Sequence, residues 1–112
     1  MADVGNKLDY QFVRMFDCYK GLLTDRQRHV MELYYNEDYS FSEIAEMLGI
    51  TRQAVNDSLR HSRQFLLETE EKLGVAERME RLRVQIAAIR DAASERTDIV
   101  ELAEKALEII ED

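Results

Sequence analysis

Apolar positions recur at three- and four-residue steps along nearly the whole chain, the spacing of one helical face and not the alternation of a strand. Leu8, Phe12, Met15, Phe16, Tyr19 and Leu22 predict a first helix ending near Gly21 or Leu22, while residues 1–7, with Gly5 and Asn6 and no periodic pattern, are expected to fray. Thr24 and Gln27 are spaced as a capping box, and Val30, Leu33 and Tyr34 form the inner face of a helix running to about Asn36. Ile44, Ala45 and Leu48 give a short third helix, and Val55, Leu59, Ser62 and Leu66 a longer fourth, which Lys72 and Gly74 close. From Val75 on, Met79, Leu82, Ile86, Ile89 and Ala93 follow in steps of four and three. This seam is shorter than three heptads, so it predicts packing on a neighbouring helix in preference to an autonomous coiled coil. After an interruption at Asp91–Asp98, where Ser94 and Thr97 are candidate caps, a last helix carries Ile99, Leu102, Ala103, Ala106, Leu107 and Ile110 and is expected to complete a hairpin.

The chain is organised around Ser40–Arg63. Ser40 and Glu43 form a second capping box, with Tyr39 and Ile44 at the spacing of a hydrophobic staple. Gly49 follows Leu48 where a tight turn needs positive φ, and Thr51 stands as the next N-cap. Ile50 and Val55 repeat the staple spacing, and small Ala45 lies where the two helices must approach closely. Two capped helices around such a turn are a helix-turn-helix. With Val55 as the buried direction, about 100° per residue turns Gln53, Asn56, Asp57, Arg60 and Gln64 outward.

Composition agrees with an all-α fold: there is no proline, and four glycines stand among many good helix formers. The single cysteine, Cys18, has no thiol partner and is expected to be a small packing residue. No apolar leader or long uncharged run is present, so a soluble, cytoplasmic protein without membrane contact is expected. The formal net charge is −8, which opposes strong nucleic-acid binding by the whole surface. Residues 1–63 hold 8 basic and 10 acidic side chains, and residues 64–112 hold 7 and 13. Within 51–63 the sign reverses, since Arg52, Arg60 and Arg63 face only Asp57.

The residues offer little for catalysis. His29 and His61 lack partners at metal-ligand spacing, and there is neither a phosphate-binding glycine loop nor a nucleophile elbow, so no enzymatic activity, cofactor, metal or small-molecule substrate is expected. Tyr34, Tyr35 and Tyr39 fit packed rings with polar tips better than a base-stacking platform, which would come with a basic groove. The fourth helix is richer. Gln53 and Asn56 have the chemistry for adenine N6 and N7, Arg60 for guanine O6 and N7, and Thr51 with Arg52 at the helix start suits phosphate; Arg63 adds charge further along. Asp57 accepts from cytosine N4 but repels phosphate. The plainer alternative is a three-helix core whose polar face is only solvated.

Leu23-Thr-Asp-Arg-Gln-Arg28, Glu32-Leu-Tyr-Tyr35, Glu37-Asp-Tyr-Ser40, Glu43-Ile-Ala-Glu46, Thr51-Arg-Gln-Ala-Val55 and Glu70-Glu-Lys-Leu-Gly74 together resemble the bacterial YlxM family over about residues 8–75. More remotely, Leu23 to Arg63 is similar to region 4 of bacterial sigma factors, departing from it at Asp57 and Ser58. The resemblance implies a small cytosolic helix-turn-helix regulator. It also implies a part in the signal recognition particle pathway, because genes of this family commonly neighbour those of that particle and its receptor.

The expectation is therefore an all-α protein with a helix-turn-helix domain and N-terminal helix over 1–74, and an acidic helical hairpin for dimerisation or interaction over 75–112. Its function is expected to be DNA-binding regulation through Thr51, Arg52, Gln53, Asn56, Arg60 and Arg63, with a homodimer placing two motifs on one duplex. The alternative is a protein-binding adaptor of the targeting machinery, docking on a basic partner such as a signal recognition particle component.

Overall fold

The structure, a computed structural model, describes residues 10–111. Leu8 and the fraying expected for residues 1–7 lie outside them. Six α-helices, and no strand among the described residues, make the fold all-α: α1 Tyr10–Tyr19, α2 Asp25–Met31, α3 Phe41–Leu48, α4 Arg52–Leu73, α5 Val75–Ala92 and α6 Thr97–Glu111. They divide into two compact units, one ending at Leu73 and the other beginning at Gly74.

In the first unit α1, α2 and α3 all pack on α4. The reason is the inner stripe of α4: Val55, Leu59, Ser62 and Leu66 are fully buried, at the i, i+4, i+7 and i+11 positions of one helical face. Phe12, Met15, Phe16 and Tyr19 of α1 meet this core, as do Val30 and Met31 of α2 and Phe41, Ile44 and Ala45 of α3. Ser62 is the one polar member of the buried set. A small side chain there lets a neighbouring helix come close, at the cost of a hydroxyl that has no partner among the described residues.

Three local departures from regular α-helix shape this unit. After α1 the chain tightens into a 3₁₀ turn at Lys20–Leu22 and then extends at Leu23. The tighter turn moves the inward position forward by one residue, so Leu23 is buried and Leu22, expected on the inner face, is exposed. Following α2, residues Glu32–Asn36 form a wide π-helical turn, in which the Glu37 amide donates to the Glu32 carbonyl at 3.1 Å. Leu33 and Tyr34 are both buried in it, and the Tyr34 ring meets Tyr35 edge-on and Phe41 at an angle. The loop leaves this turn through Asp38, whose φ of 60° is a left-handed conformation that Asp tolerates better than most side chains.

The second unit is the hairpin of α5 against α6. Gly74 enters it at φ 64° and α5 begins at the next residue. Among its described residues only Ala76, Ala103 and Leu107 are buried. Met79, Ile86, Ile99, Ala106 and Ile110 are half-buried, so about half of each apolar stripe faces the partner helix. The other half does not: Leu82, Ile89, Leu102 and Ile109 remain 51–75% exposed. At the connection neither candidate cap fills its role. Thr97 is already the first residue of α6, and Arg96 precedes it, its guanidinium holding the Asp98 carboxylate by two bonds of 2.9 and 3.1 Å. That hydrogen bond, with further ones from the Ile99 and Asp98 amides, keeps the Asp98 carboxyl below its ordinary value.

Candidate nucleic-acid interface

The interface begins with the caps that fix α3 and α4. Ser40 Oγ accepts from the Glu43 amide at 3.1 Å while Glu43 Oε1 accepts from the Ser40 amide at 2.9 Å, the reciprocal pair that satisfies two orphan donors of the first turn. Thr24 and Gln27 do the same for α2. Gly49 ends α3 at φ 69° and ψ 35°, its amide bonded to Ala45, and the Ile50 amide donates to the same Ala45 carbonyl at 3.0 Å. Two residues on, Thr51 Oγ1 accepts from the Ala54 amide at 2.9 Å and α4 starts. A chain reversal this short, with both helices capped and Ala45 buried between them, is the helix-turn-helix geometry.

Around α4 the predicted residues fall into two groups. Thr51, Arg52, Gln53 and Arg60 are exposed, and so is Gln64 further along. They belong to the outward surface of the N-terminal half of α4. Asn56 stands at its rim, half-buried, its Oδ1 sheltered and without a hydrogen-bond partner among the described residues. Arg63 belongs elsewhere. Its guanidinium carbon lies 3.5 Å from the centre of the Phe12 ring, and Nη1 donates to Tyr35 Oη at 3.2 Å. A cation held over an aromatic face and bonded to a phenol is a packing residue of α1 and the π turn, which charge and spacing alone did not reveal. Seven residues beyond Arg63, Glu70 accepts from the Tyr19 hydroxyl and ties α4 to α1 again.

The outward surface is also less basic than its arginines suggest. Asp57 Oδ1 accepts from Gln53 Nε2 at 3.0 Å and from Arg60 Nη2 at 3.0 Å. Gln64 Nε2 in turn donates to Glu68 at 2.8 Å. Each of these three outward donors is thus bonded to a carboxylate on its own helix, at the i, i+3 or i, i+4 spacing where helical side chains meet. Sequence reasoning placed Asp57 on this face but missed that it joins two of the proposed contacts; the spacing 53, 57, 60 was the available signal. Of the tyrosine cluster, Tyr34 is buried, and Tyr35 is half-buried and accepts from Arg63.

The rest of the chemistry is sparse. Among the described residues no group of three or more His, Cys, Asp or Glu side chains is placed to hold a metal ion. Cys18, expected to pack, is exposed on α1. Partial desolvation, followed by the nearby charges of Glu70 and Asp17, pushes its thiol up and away from the reactive thiolate. No helix of the described residues is long and apolar enough to cross a membrane.

With this geometry, comparison with known proteins becomes specific. Residues 7–112 match the model of the UPF0122 family, described as "Putative helix-turn-helix protein, YlxM / p13 like". The chain belongs to this family. A UPF0122 protein of Geobacillus kaustophilus is 45% identical over 82 residues, 73% of this chain and 74% of the relative. One of an Exiguobacterium species is 40% identical over 106 residues, covering 95% and 94% of the two chains. A Bacillus cereus member is 37% identical over 97 residues, covering 87% and 88%. The resemblance visible in the sequence motifs reached only about residue 75. The UPF0122 match continues through α5 and α6, so the hairpin is part of the family unit and not an appendage to it.

Proposed function

We propose that this UPF0122 protein is a DNA-binding regulator that lays the N-terminal half of α4 in the major groove. The observation that carries the reading is the doubly capped α3–Gly49–α4 turn, which leaves Thr51, Arg52, Gln53 and Arg60 exposed on one rigid helix. In this reading Thr51 and Arg52 meet phosphate at the start of α4, Gln53 and Arg60 meet base edges, and Asn56 joins them from the rim. Arg63 contributes positive potential while its guanidinium stays on Phe12. The reading includes no catalytic step and no cofactor, and places the protein in the cytoplasm.

One such module on a chain of net charge −8 binds weakly, so the proposal includes a homodimer through the hairpin, which brings two motifs to one duplex. Two features support it. Leu82 and Ile89 of α5 and Leu102 and Ile109 of α6 are exposed together. In addition, α5 carries four basic and three acidic residues while α6 carries one and five, so α5 of one copy is attracted to α6 of another.

A second reading is favoured by the Asp57 pairing and by the acidity of α6. It makes the protein an adaptor that docks on a basic component of the protein-targeting machinery, such as the signal recognition particle implied by the family resemblance. Titration of labelled duplex DNA at low and high salt separates the two. DNA binding predicts affinity that falls steeply with salt, and a loss of about one phosphate's worth of salt slope in Arg52→Ala. Binding that is absent at low salt, or unchanged in Arg52→Ala/Arg60→Ala, removes the DNA reading and leaves the adaptor.

A further inference from the structure

The outward surface of α4 holds a carboxylate where a simple DNA reader would hold a neutral or basic side chain, and that carboxylate is bonded to both neighbours that could read a base. From this geometry we infer that Asp57 is the specificity-determining residue of the interface: it gathers Gln53 and Arg60 into one unit and disfavours sites that place guanine or thymine, and so an acceptor, beneath its carboxylate. The inference rests on the DNA reading above and deepens it.

Three features support it. First, one oxygen, Asp57 Oδ1, receives both Gln53 Nε2 and Arg60 Nη2 at 3.0 Å, so the two long side chains converge on one acceptor before any ligand arrives. Fixing rotamers in advance lowers the entropy lost on binding. Second, Asp57 uses only one N–H of Nη2. The guanidinium has five N–H donors, so a fork remains for guanine O6 and N7 while Asp57 braces its other side. Third, Asp57 and Arg60 are a partly exposed pair, with side chains 41% and 56% accessible. An exposed pair of this kind adds little to folding, so its placement has more consequence for what approaches the helix than for stability.

The consequence for recognition follows from charge. In a major groove a carboxylate faces a strongly negative surface, and the base-edge groups that compensate it are the amino groups of cytosine and adenine. A duplex with guanine beneath Arg60 and cytosine or adenine beneath Asp57 satisfies both partners of the salt bridge. Guanine or thymine beneath Asp57 leaves a desolvated carboxylate against an acceptor, the amino group of that pair lying on the other strand, and is rejected. Asp57 therefore lowers affinity for DNA at large while sharpening the choice among sequences, a use of repulsion that specific interfaces share.

The test is selection from a random duplex pool by wild type, Asp57→Asn and Asp57→Glu, together with each protein's affinity for unselected duplex at one salt concentration. Asp57→Asn keeps the shape and removes the charge. It is expected to bind unselected duplex about tenfold more tightly and to lose about tenfold discrimination at one base position, the scale of a single mismatched pair. Asp57→Glu keeps the charge and is expected to bind unselected duplex as weakly as wild type. Helical circular dichroism unchanged across the three establishes that folding is not the variable. If wild type and Asp57→Asn retain duplex with equal affinity and the same base preference, the Asp57 assignment is overturned while the DNA reading stands. Retention of no duplex by any of the three overturns both.

Discussion

Up to Leu73, Val30, Ile44, Val55, Leu59 and Leu66 give up essentially all their exposure. From Gly74 on, only Ala76, Ala103 and Leu107 are buried among the described residues, and Ile109 stays 75% exposed. The two units use similar apolar spacing to different ends. In the first, three helices converge on α4, so its stripe is covered from several sides. In the second, α5 packs on α6, and a hairpin of two helices covers only the facing half of each stripe. Each fully buried aliphatic side chain contributes ~1.5–3 kcal/mol, so the first unit carries the larger share of the stability. Apolar spacing thus reports that a face is to be covered; the number of neighbouring helices decides whether the chain covers it alone.

The comparison breaks most visibly at Leu59. Leu59→Ala removes a fully buried side chain from the meeting point of the helices and is expected to cost ~2–5 kcal/mol in urea denaturation, independently of protein concentration. A loss under 1 kcal/mol would mean that the first unit is packed no better than the hairpin. The second unit is expected to respond in association and hardly in folding. Leu82→Ser with Ile89→Ser, both at exposed positions, should leave the unfolding of dilute protein nearly unchanged but shift sedimentation from dimer to monomer. Wild type sedimenting as a monomer at high concentration would remove the dimer.

The smallest effect is electrostatic, at the hairpin turn. Arg96 holds the folded Asp98 carboxyl below its ordinary value of 3.8, so the contribution to stability is fully present above that value and is lost as pH falls through the lower folded one. Carboxyl NMR titration should find Asp98 below 3.8 in wild type, moving up in Arg96→Ala. An unmoved titration would mean that the pair does not form in solution.

The fold was most legible where backbone chemistry is local. Thr24 with Gln27, Ser40 with Glu43, Gly49, and Thr51 announced three helix starts and one turn, because capping bonds join residues three apart and need no knowledge of the tertiary structure. The inner stripe of α4 was legible for the same reason of short period. Features set by neighbours were not. Leu22 and Leu23 exchange roles because a 3₁₀ turn intervenes. Phe41 is buried because Tyr34 waits across the loop, and the π turn that supplies Tyr34 has no sequence signal beyond ordinary helix. In the candidate interface, outward direction was predictable from helical phase, but the partners were not. Arg63 turns to Phe12, some fifty residues earlier in the chain, and Asp57 gathers Gln53 and Arg60.

Helix α4 has 22 residues and is α-helical from Arg52 to Leu73. At ~1.5 Å per residue it is a rod of ~33 Å, and its outward end lies ~22 Å from the buried Leu66. A rod of that length acts as a lever. A tilt of ~3° about Leu66 moves Thr51 by ~1 Å, about the error that separates a good hydrogen bond from a lost one. Val55 and Leu59, buried along the arm, and the Tyr19–Glu70 and Arg63–Phe12 contacts near its pivot together hold this lever on the core. In the DNA reading, loosening any of these contacts, at a site far from the duplex, is expected to blur the aim of Gln53 and Arg60.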